Sequence, residues 1–140
     1  MKIKFFFNDT LIGLSKRIKV KEQLSDIFSD EKKPLSTLSY IFCTDKYLHA
    51  INLEFLGHDD YTDIITFSLA ELGAPIVGEI YISTDRIREN ANKNKVTINN
   101  ELHRLLFHGA LHLCGYKDKR KKDKIIMTSK EDYYLAKYFN

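Results

Sequence analysis

The chain of 140 residues is long enough to bury the core of one domain, and its 44% hydrophobic and 29% charged residues are ordinary for a globular protein. Its formal net charge of +3 is too small to indicate a nucleic-acid-binding protein by itself. No window approaches the run of about 18 apolar residues that crosses a membrane, and the apolar start is too short for a signal peptide.

The first half of the chain is predicted to alternate strands with helices. Aromatic and β-branched runs predict strands at residues 2–7 and 35–43, and apolar residues at near-helical spacing predict helices at residues 14–28 and 45–56. A charged loop is expected at residues 29–34. Thr44 is a good N-cap for the second helix, and Gly57 would end it. The apolar face of that helix would bury Leu48, Ile51 and Phe55.

The second half is predicted to hold two strands and three helices. Strands at residues 63–69 and 77–83 flank a loop with Gly73 and Pro75, which favours antiparallel pairing. Ser83 or Thr84 would cap a polar helix that ends near residue 94, and Thr97 would begin the next helix. A last helix over residues 124–139 is expected to bury Ile126, Met127, Tyr134, Leu135 and Tyr138. These elements predict a single α+β domain over residues 1–140, built on a mixed sheet of about four strands packed by helices.

The two cysteines, Cys43 and Cys114, lie far apart in apolar surroundings. Two distant cysteines in apolar segments predict buried thiols in a reducing compartment, with no disulfide between them. We therefore expect a cytoplasmic protein without membrane contact, and we assume that it is a monomer.

Two histidines four residues apart, His108 and His112, lie on the helix that begins at Thr97. Residues with this spacing share one helix face, so both imidazoles can point at one metal ion. Gly115 then breaks the helix, and Asp118 presents a carboxylate three residues later. Three protein ligands with an open position are typical of a catalytic zinc site. The pattern predicts that His108, His112 and Asp118 bind a metal and form the catalytic centre.

An accidental spacing of two histidines is the alternative to a metal site. The offsets of Gly115 and Asp118 weigh against accident, because the segment resembles the zincin motif His-Glu-x-x-His-x-x-Gly-x-x-His. Gly109 stands where that motif has its catalytic glutamate, so peptide hydrolysis would lack a proton acceptor. The ligand set suits zinc but also iron, nickel or manganese. Glu101, two turns before His108, could orient a ligand, but we favour a solvated first-turn carboxylate.

A basic segment follows the proposed metal site. Six of the eight residues from Lys117 to Lys124 are basic, and such a cluster could recruit RNA electrostatically. The candidate RNA-binding residues are Lys117, Lys119, Arg120, Lys121, Lys122 and, on the preceding polar helix, Arg86. A solvated loop and helix start is the alternative. Exposed aromatic residues could also stack on unpaired bases, but sequence does not tell which aromatics are exposed.

Three segments of the chain are similar to the motifs of one known family. His108–Tyr116 matches His-Gly-x-Leu-His-Leu-x-Gly-Tyr without a break. Asn52–Ser68 is similar to Leu-Asn-x-x-Tyr-Arg-x-x-Asp-x-Pro-Thr-Asp-Val-Leu-Ser-Phe, and Gly78–Ser83 is similar to Gly-Asp-Ile-x-Ile-Ser. The chain therefore resembles the YbeY family of metal-dependent endoribonucleases, which act in ribosomal RNA maturation.

The resemblance implies a zincin-like fold with a central metal-binding helix. It implies one zinc ion held by His108, His112 and, by position, Asp118, where the family has a third histidine. It also implies hydrolysis of single-stranded RNA in 16S ribosomal RNA maturation and ribosome quality control, with the ribosome as a partner. The family's arginine that faces the RNA phosphate is Leu56 here, so another cation would have to meet that phosphate.

Two other functions stay open at this point. A noncatalytic RNA- or ribosome-binding protein would use the metal structurally, and the leucine at position 56 would then explain a loss of activity. A metal-dependent hydrolase of another bond, such as a peptidase, is opposed by Gly109 in the position of the general base.

Overall fold

The computed structural model describes residues 2–140 as four strands and five helices. The strands are β1 (Ile3–Phe7), β2 (Leu35–Cys43), β3 (Ile64–Ser68) and β4 (Ile76–Ser83). The helices are α1 (Arg17–Asp30), α2 (Asp45–Leu56), α3 (Thr84–Asn94), α4 (Ile98–Leu113) and α5 (Lys121–Phe139). Each predicted element is present, but α1 takes in the first two residues of the predicted charged loop and α5 begins three residues early.

The four strands form one mixed sheet in the order β1-β2-β4-β3. Strands β1 and β4 run parallel to β2, whereas β3 lies antiparallel to β4 at the edge of the sheet. The predicted antiparallel pairing of the last two strands is therefore confirmed. Parallel neighbours need long crossover connections, which α1 supplies between β1 and β2, and which α2 and β3 supply between β2 and β4.

Helix α4 packs against the sheet and contacts α1, α3 and α5 as well. Its fully buried residues are Leu102, Leu106, Phe107, Ala110 and Leu111. The hydroxyl of Tyr40 on β2 donates a 2.6 Å hydrogen bond to the carbonyl of Leu106. The predicted central helix is thus confirmed, and its surroundings hold the two histidines in a fixed position.

Two glycines allow α4 to approach the sheet closely. A Cβ on Gly109 would lie 2.7 Å from Cδ1 of Ile80 on β4 and 3.3 Å from Cδ1 of Ile64 on β3. A Cβ on Gly78 would overlap the side chain of Leu113. Both contacts are tighter than normal carbon–carbon packing. The glycine in the position of the zincin glutamate therefore has a packing role in this fold.

We expect Gly109→Ala to lower the free energy of unfolding by about 1–2 kcal/mol, because overpacking outweighs the better helix propensity of alanine. Urea unfolding followed by circular dichroism measures this change. Gly13→Ala is the matched control, because no atom lies within 4 Å of a Cβ built on Gly13. Equal destabilisation of the two variants would contradict the packing argument.

The predicted helix caps are confirmed. The hydroxyls of Thr44, Ser83 and Thr97 accept hydrogen bonds from the N–H groups three residues on, at 3.2, 3.2 and 3.0 Å. Gly57 ends α2 with a φ of 67°. These caps satisfy N–H and carbonyl groups that a helix end leaves unpaired.

Two residues predicted to be buried are exposed. Phe55 is 64% exposed, because its aromatic neighbour Phe67 lies on the edge strand β3 and meets the ring edge-on, at 6.2 Å between centroids. Ile126 is 48% exposed, because it lies about 100° around α5 from the buried Met127. The other residues predicted to be buried in these two helices, Leu48, Ile51, Met127, Tyr134, Leu135 and Tyr138, are buried.

Both cysteines are buried and free, as predicted. Burial raises the pKa of each thiol to about 12, so both are protonated and unreactive near neutral pH. No helix among residues 2–140 combines the length and apolar character needed to span a membrane.

Candidate metal centre

Helix α4 places His108 and His112 one turn apart, where both side chains line a surface groove. Their ring centroids are 5.0 Å apart, with the ring planes at 83°. Both imidazoles are partly exposed, so a ligand in the groove can reach them. The shared helix face predicted from their spacing is confirmed.

A glycine turn after α4 returns the chain toward the two histidines. The N–H groups of Cys114, Gly115 and Tyr116 donate to carbonyls of the last helical turn. Gly115 has a φ of 106°, in the left-handed region that favours glycine. The reversed chain then brings the carboxylate of Asp118 back to both imidazoles.

Glu31, at the C-terminal end of α1, anchors this turn. Its carboxylate accepts hydrogen bonds from the hydroxyls of Tyr116 and Tyr134 at 2.6 and 2.8 Å, and from Nζ of Lys130 at 3.1 Å. Burial disfavours the ionised carboxylate, but these three donors outweigh burial and lower the pKa of Glu31. The ionised carboxylate thus fixes Tyr116, two residues before Asp118.

The three predicted ligands converge in the groove. Oδ2 of Asp118 lies 3.2 Å from Nε2 of His108 and 3.4 Å from Nε2 of His112. One possible ligand atom from each residue lies within 4.8 Å of the other two. Ligand atoms around a tetrahedral zinc ion, with bonds of about 2.0–2.2 Å, are about 3.3–3.6 Å apart. The spacing of the three side chains therefore fits a metal ion.

Glu131 on α5 holds His108 from the other side. Its Oε2 accepts a 2.6 Å hydrogen bond from Nδ1 of His108, and its Oε1 pairs with Nη1 of Arg104 at 2.8 Å. Burial works to lower the pKa of His108, but the hydrogen bond and charge of Glu131, with Asp118 and Asp63 nearby, raise it overall. A proton held on Nδ1 leaves the lone pair of a neutral ring on Nε2, facing Asp118.

Neither Glu131 nor Arg104 is identifiable from the zincin-type motif. Glu131 lies three or four residues from Met127, Tyr134 and Leu135, on the buried stripe of α5. A carboxylate on the apolar face of a helix needs a buried partner. The position of Glu131 on that face is therefore the signal that could have identified this residue.

The groove has a volume of about 1050 Å³, and carboxylates line much of it. Burial raises the pKa of both Asp63 and Glu101, and Oδ2 of Asp63 accepts a 3.1 Å hydrogen bond from Asn90 on α3. Glu101 is only 5% exposed, so the expectation of a solvated carboxylate is wrong. The side chain of Glu101 is shielded from solvent, because α3 packs against α4.

The predicted basic segment borders the groove only in part. Lys119 lines the groove, whereas Arg120 pairs with Asp123 at 2.8 Å. The remaining candidates are exposed in the turn or at the start of α5: Lys117, Lys121 and Lys122. The fold therefore spreads a contiguous basic run over more than one surface.

Arg86 and Leu56 have different surroundings from the basic segment. Nε and Nη2 of Arg86 bind the carboxylate of Asp45 at 3.0 and 3.3 Å. Leu56 lines the groove, where the family's motif has an arginine. Among residues 2–140, the lysine and arginine side chains that line the groove are those of Arg104 and Lys119.

A mixed sheet, a central helix with His-x3-His and a third possible ligand after a glycine turn together define a zincin-like fold. Fold and motifs thus point to the class of zincin-like hydrolases. A family model described as Endoribonuclease YbeY matches residues 7–139. The chain belongs to the YbeY family, as its motifs predicted.

Similar proteins cover nearly the whole chain. "Endoribonuclease YbeY" of Cytophaga hutchinsonii is 48% identical over 134 residues, which are 96% of this chain and 94% of that protein. The protein of the same name from Christiangramia forsetii is 43% identical over 131 residues, or 94% and 91% of the two chains. The solution structure of TM1509 from Thermotoga maritima has 28% identity and a TM-score of 0.68, covering 98% of this chain and 89% of that one. The predicted α+β, zincin-like fold is confirmed.

Proposed function

We propose that this protein is a metal-dependent endoribonuclease that hydrolyses phosphodiester bonds in single-stranded RNA. It acts in ribosomal RNA processing, including 16S maturation, and in ribosome quality control, as a cytoplasmic monomer with the ribosome as partner. Membership of the YbeY family supports the nuclease activity. The observation that carries the proposal is the convergence of His108, His112 and Asp118 in a surface groove of about 1050 Å³.

The proposed ligands of a single zinc ion are His108, His112 and Asp118. When bound, zinc acts as a Lewis acid that stabilises the negative charge that develops on the phosphate oxygens. Asp118 brings a negative charge that a neutral histidine would not bring, and this charge weakens the Lewis acid. Iron, nickel or manganese would suit the same donor set.

The chain's own residues support the reaction in the groove. Leu56 cannot supply positive charge to the scissile phosphate, and Arg104 is already paired with two carboxylates, so Lys119 is the groove cation that would meet this phosphate. Asp63 and Glu101 also line the groove, and burial raises the pKa of both carboxyl groups. Attraction of the RNA backbone comes from the basic residues Lys117, Lys119, Arg120, Lys121, Lys122 and Arg86.

We expect the zinc-loaded protein to cleave a single-stranded oligoribonucleotide and to lose this activity with a chelator. Gel electrophoresis of an end-labelled RNA measures cleavage, and added zinc should restore it. The same strand annealed into a duplex is the matched control and should stay intact. Chelator-insensitive cleavage, or no cleavage by a folded zinc-loaded sample, would contradict the enzymatic function.

A noncatalytic RNA-binding protein is the second candidate function, and Leu56 is the observation that favours it. The side chain at this groove position lacks the positive charge that the family's motif supplies. Salt-sensitive binding of RNA without cleavage, together with bound metal, would support this candidate.

A further inference from the structure

Tyr61 presents an exposed aromatic ring on a loop that is held firmly in place. Its ring stacks on His49 of α2, with centroids 4.2 Å apart and planes at 19°. Nε2 of His49 in turn donates a 2.8 Å hydrogen bond to Oδ1 of Asp59 in the same loop. A second anchor is Asn52, which is buried and donates from Nδ2 to the carbonyl of Asp60 at 2.9 Å. These contacts connect the loop to α2 and place the ring against His49.

Tyr61 lines the same groove as the three candidate ligands. In the part of the chain that the structure describes, it is the one Phe or Tyr side chain of that groove. It remains 55% exposed although His49 covers part of the ring. An exposed aromatic ring in the groove that holds the candidate ligands is a binding surface for a flat, partly apolar group.

We propose that Tyr61 is a base-stacking subsite, where one unpaired base of the RNA substrate extends the stack of Tyr61 on His49. This inference rests on the proposed function and adds to it a fixed contact for a nucleobase. Unpaired bases splay out of single strands and stack on tyrosine rings, whereas paired bases are hidden in a duplex. The subsite therefore selects single-stranded RNA over double-stranded RNA.

One cation contacts the Tyr61 ring. The guanidinium carbon of Arg86 lies 5.5 Å from the centre of the Tyr61 ring, and Asp45 fixes that guanidinium by two hydrogen bonds. The guanidinium lies over the ring, and a cation in this position is attracted to the face of an aromatic ring. Arg86, which the sequence predicts as an RNA-binding residue, thereby also helps to fix the position of the ring.

The test is an abasic scan with metal-free protein, so that the RNA probes stay intact while binding is measured. The probes are a fluorescent single-stranded 12-nucleotide RNA and twelve versions that each lack one base, with fluorescence anisotropy measured at fixed salt. For the wild-type protein, removal of one particular base should weaken binding by about 5- to 150-fold, the usual contribution of a stacked base. Tyr61→Ala should weaken binding of the complete RNA by the same factor, and removal of that base should then have no further effect.

Two variants provide controls. Tyr61→Phe keeps the ring and should bind as the wild type does. Tyr133→Ala removes a tyrosine of nearly equal exposure, 57%, that does not line the groove, and it should also bind normally. Thermal unfolding midpoints check that each variant is folded.

The outcomes separate this inference from the proposed function. Binding by Tyr61→Ala within twofold of the wild type, or an abasic effect that persists in Tyr61→Ala, would overturn the stacking subsite alone. A wild-type protein that neither binds nor cleaves any of the RNA probes would overturn the proposed function and the subsite with it.

Discussion

Asp118→Ala is expected to lower the affinity for zinc by more than 100-fold. Residues that merely orient a metal ligand contribute about 10- to 100-fold to affinity, and Asp118 is proposed to supply a ligand atom itself. Two imidazoles would remain in the variant, one fewer protein ligand than a catalytic zinc site has. Competition with a chromophoric chelator at fixed pH measures the affinity. Cleavage of single-stranded RNA should fall in parallel.

Asp118→His is the complementary variant. Histidine occupies this position in the family's motif, so zinc affinity should stay within about tenfold of the wild-type value. Asp123→Ala is the matched control, because Asp123 lies five residues on and pairs with Arg120 outside the cluster of three ligands. Normal zinc affinity in Asp118→Ala would remove Asp118 from the site and leave the metal proposal with two histidines.

The secondary structure was predictable because its signals are local. The predicted bounds of β2, residues 35–43, agree with the observed strand, since Pro34 precedes it and the N-cap Thr44 follows it. Burial was harder to predict, because it depends on what packs against each face. Phe55 has the correct spacing for a buried residue, yet its neighbour lies on the edge strand, and the sequence does not tell which strand will be at the edge.

In the candidate metal site too, contacts between residues close in sequence were predictable, whereas contacts between distant residues were not. The three proposed ligands lie within eleven residues, so helix geometry and one glycine turn were enough to predict that they lie close together. Glu131 is 23 residues from His108, and Glu31 is 85 residues from Tyr116. Such pairs depend on the packing of α5 and α1 against α4, which no spacing rule within one segment specifies.

The wrong prediction that Glu101 is exposed has a similar origin. A carboxylate in the first turn of a helix normally faces water and complements the helix dipole. Here the first turn of α4 packs against α3, whose Asn90 lies close enough to interact with both Glu101 and Asp63. The rule that a first-turn carboxylate faces water therefore fails for Glu101, because the neighbouring helix α3 covers it.

Glu131→Gln is expected to lower zinc affinity by about 10- to 100-fold and RNA cleavage with it, because the glutamine no longer holds Nδ1 of His108 with a charged acceptor. The charge has a second effect, because the buried carboxylate also pairs with the half-buried Arg104. Isothermal titration with zinc measures the affinity, and the thermal unfolding midpoint of the metal-free protein measures the loss of the Arg104 pair separately.

Asp132→Asn separates these two effects of Glu131. Oδ1 of Asp132 pairs with Nη2 of the same Arg104 at 2.7 Å, but His108 donates its hydrogen bond to Glu131. If Glu131 acts by orienting His108, Asp132→Asn should change the zinc affinity by no more than about fivefold, because an exposed ion pair contributes about 0.2–1 kcal/mol. An equal loss of zinc affinity in the two variants would mean that Arg104, and not the orientation of His108, connects α5 to the metal site.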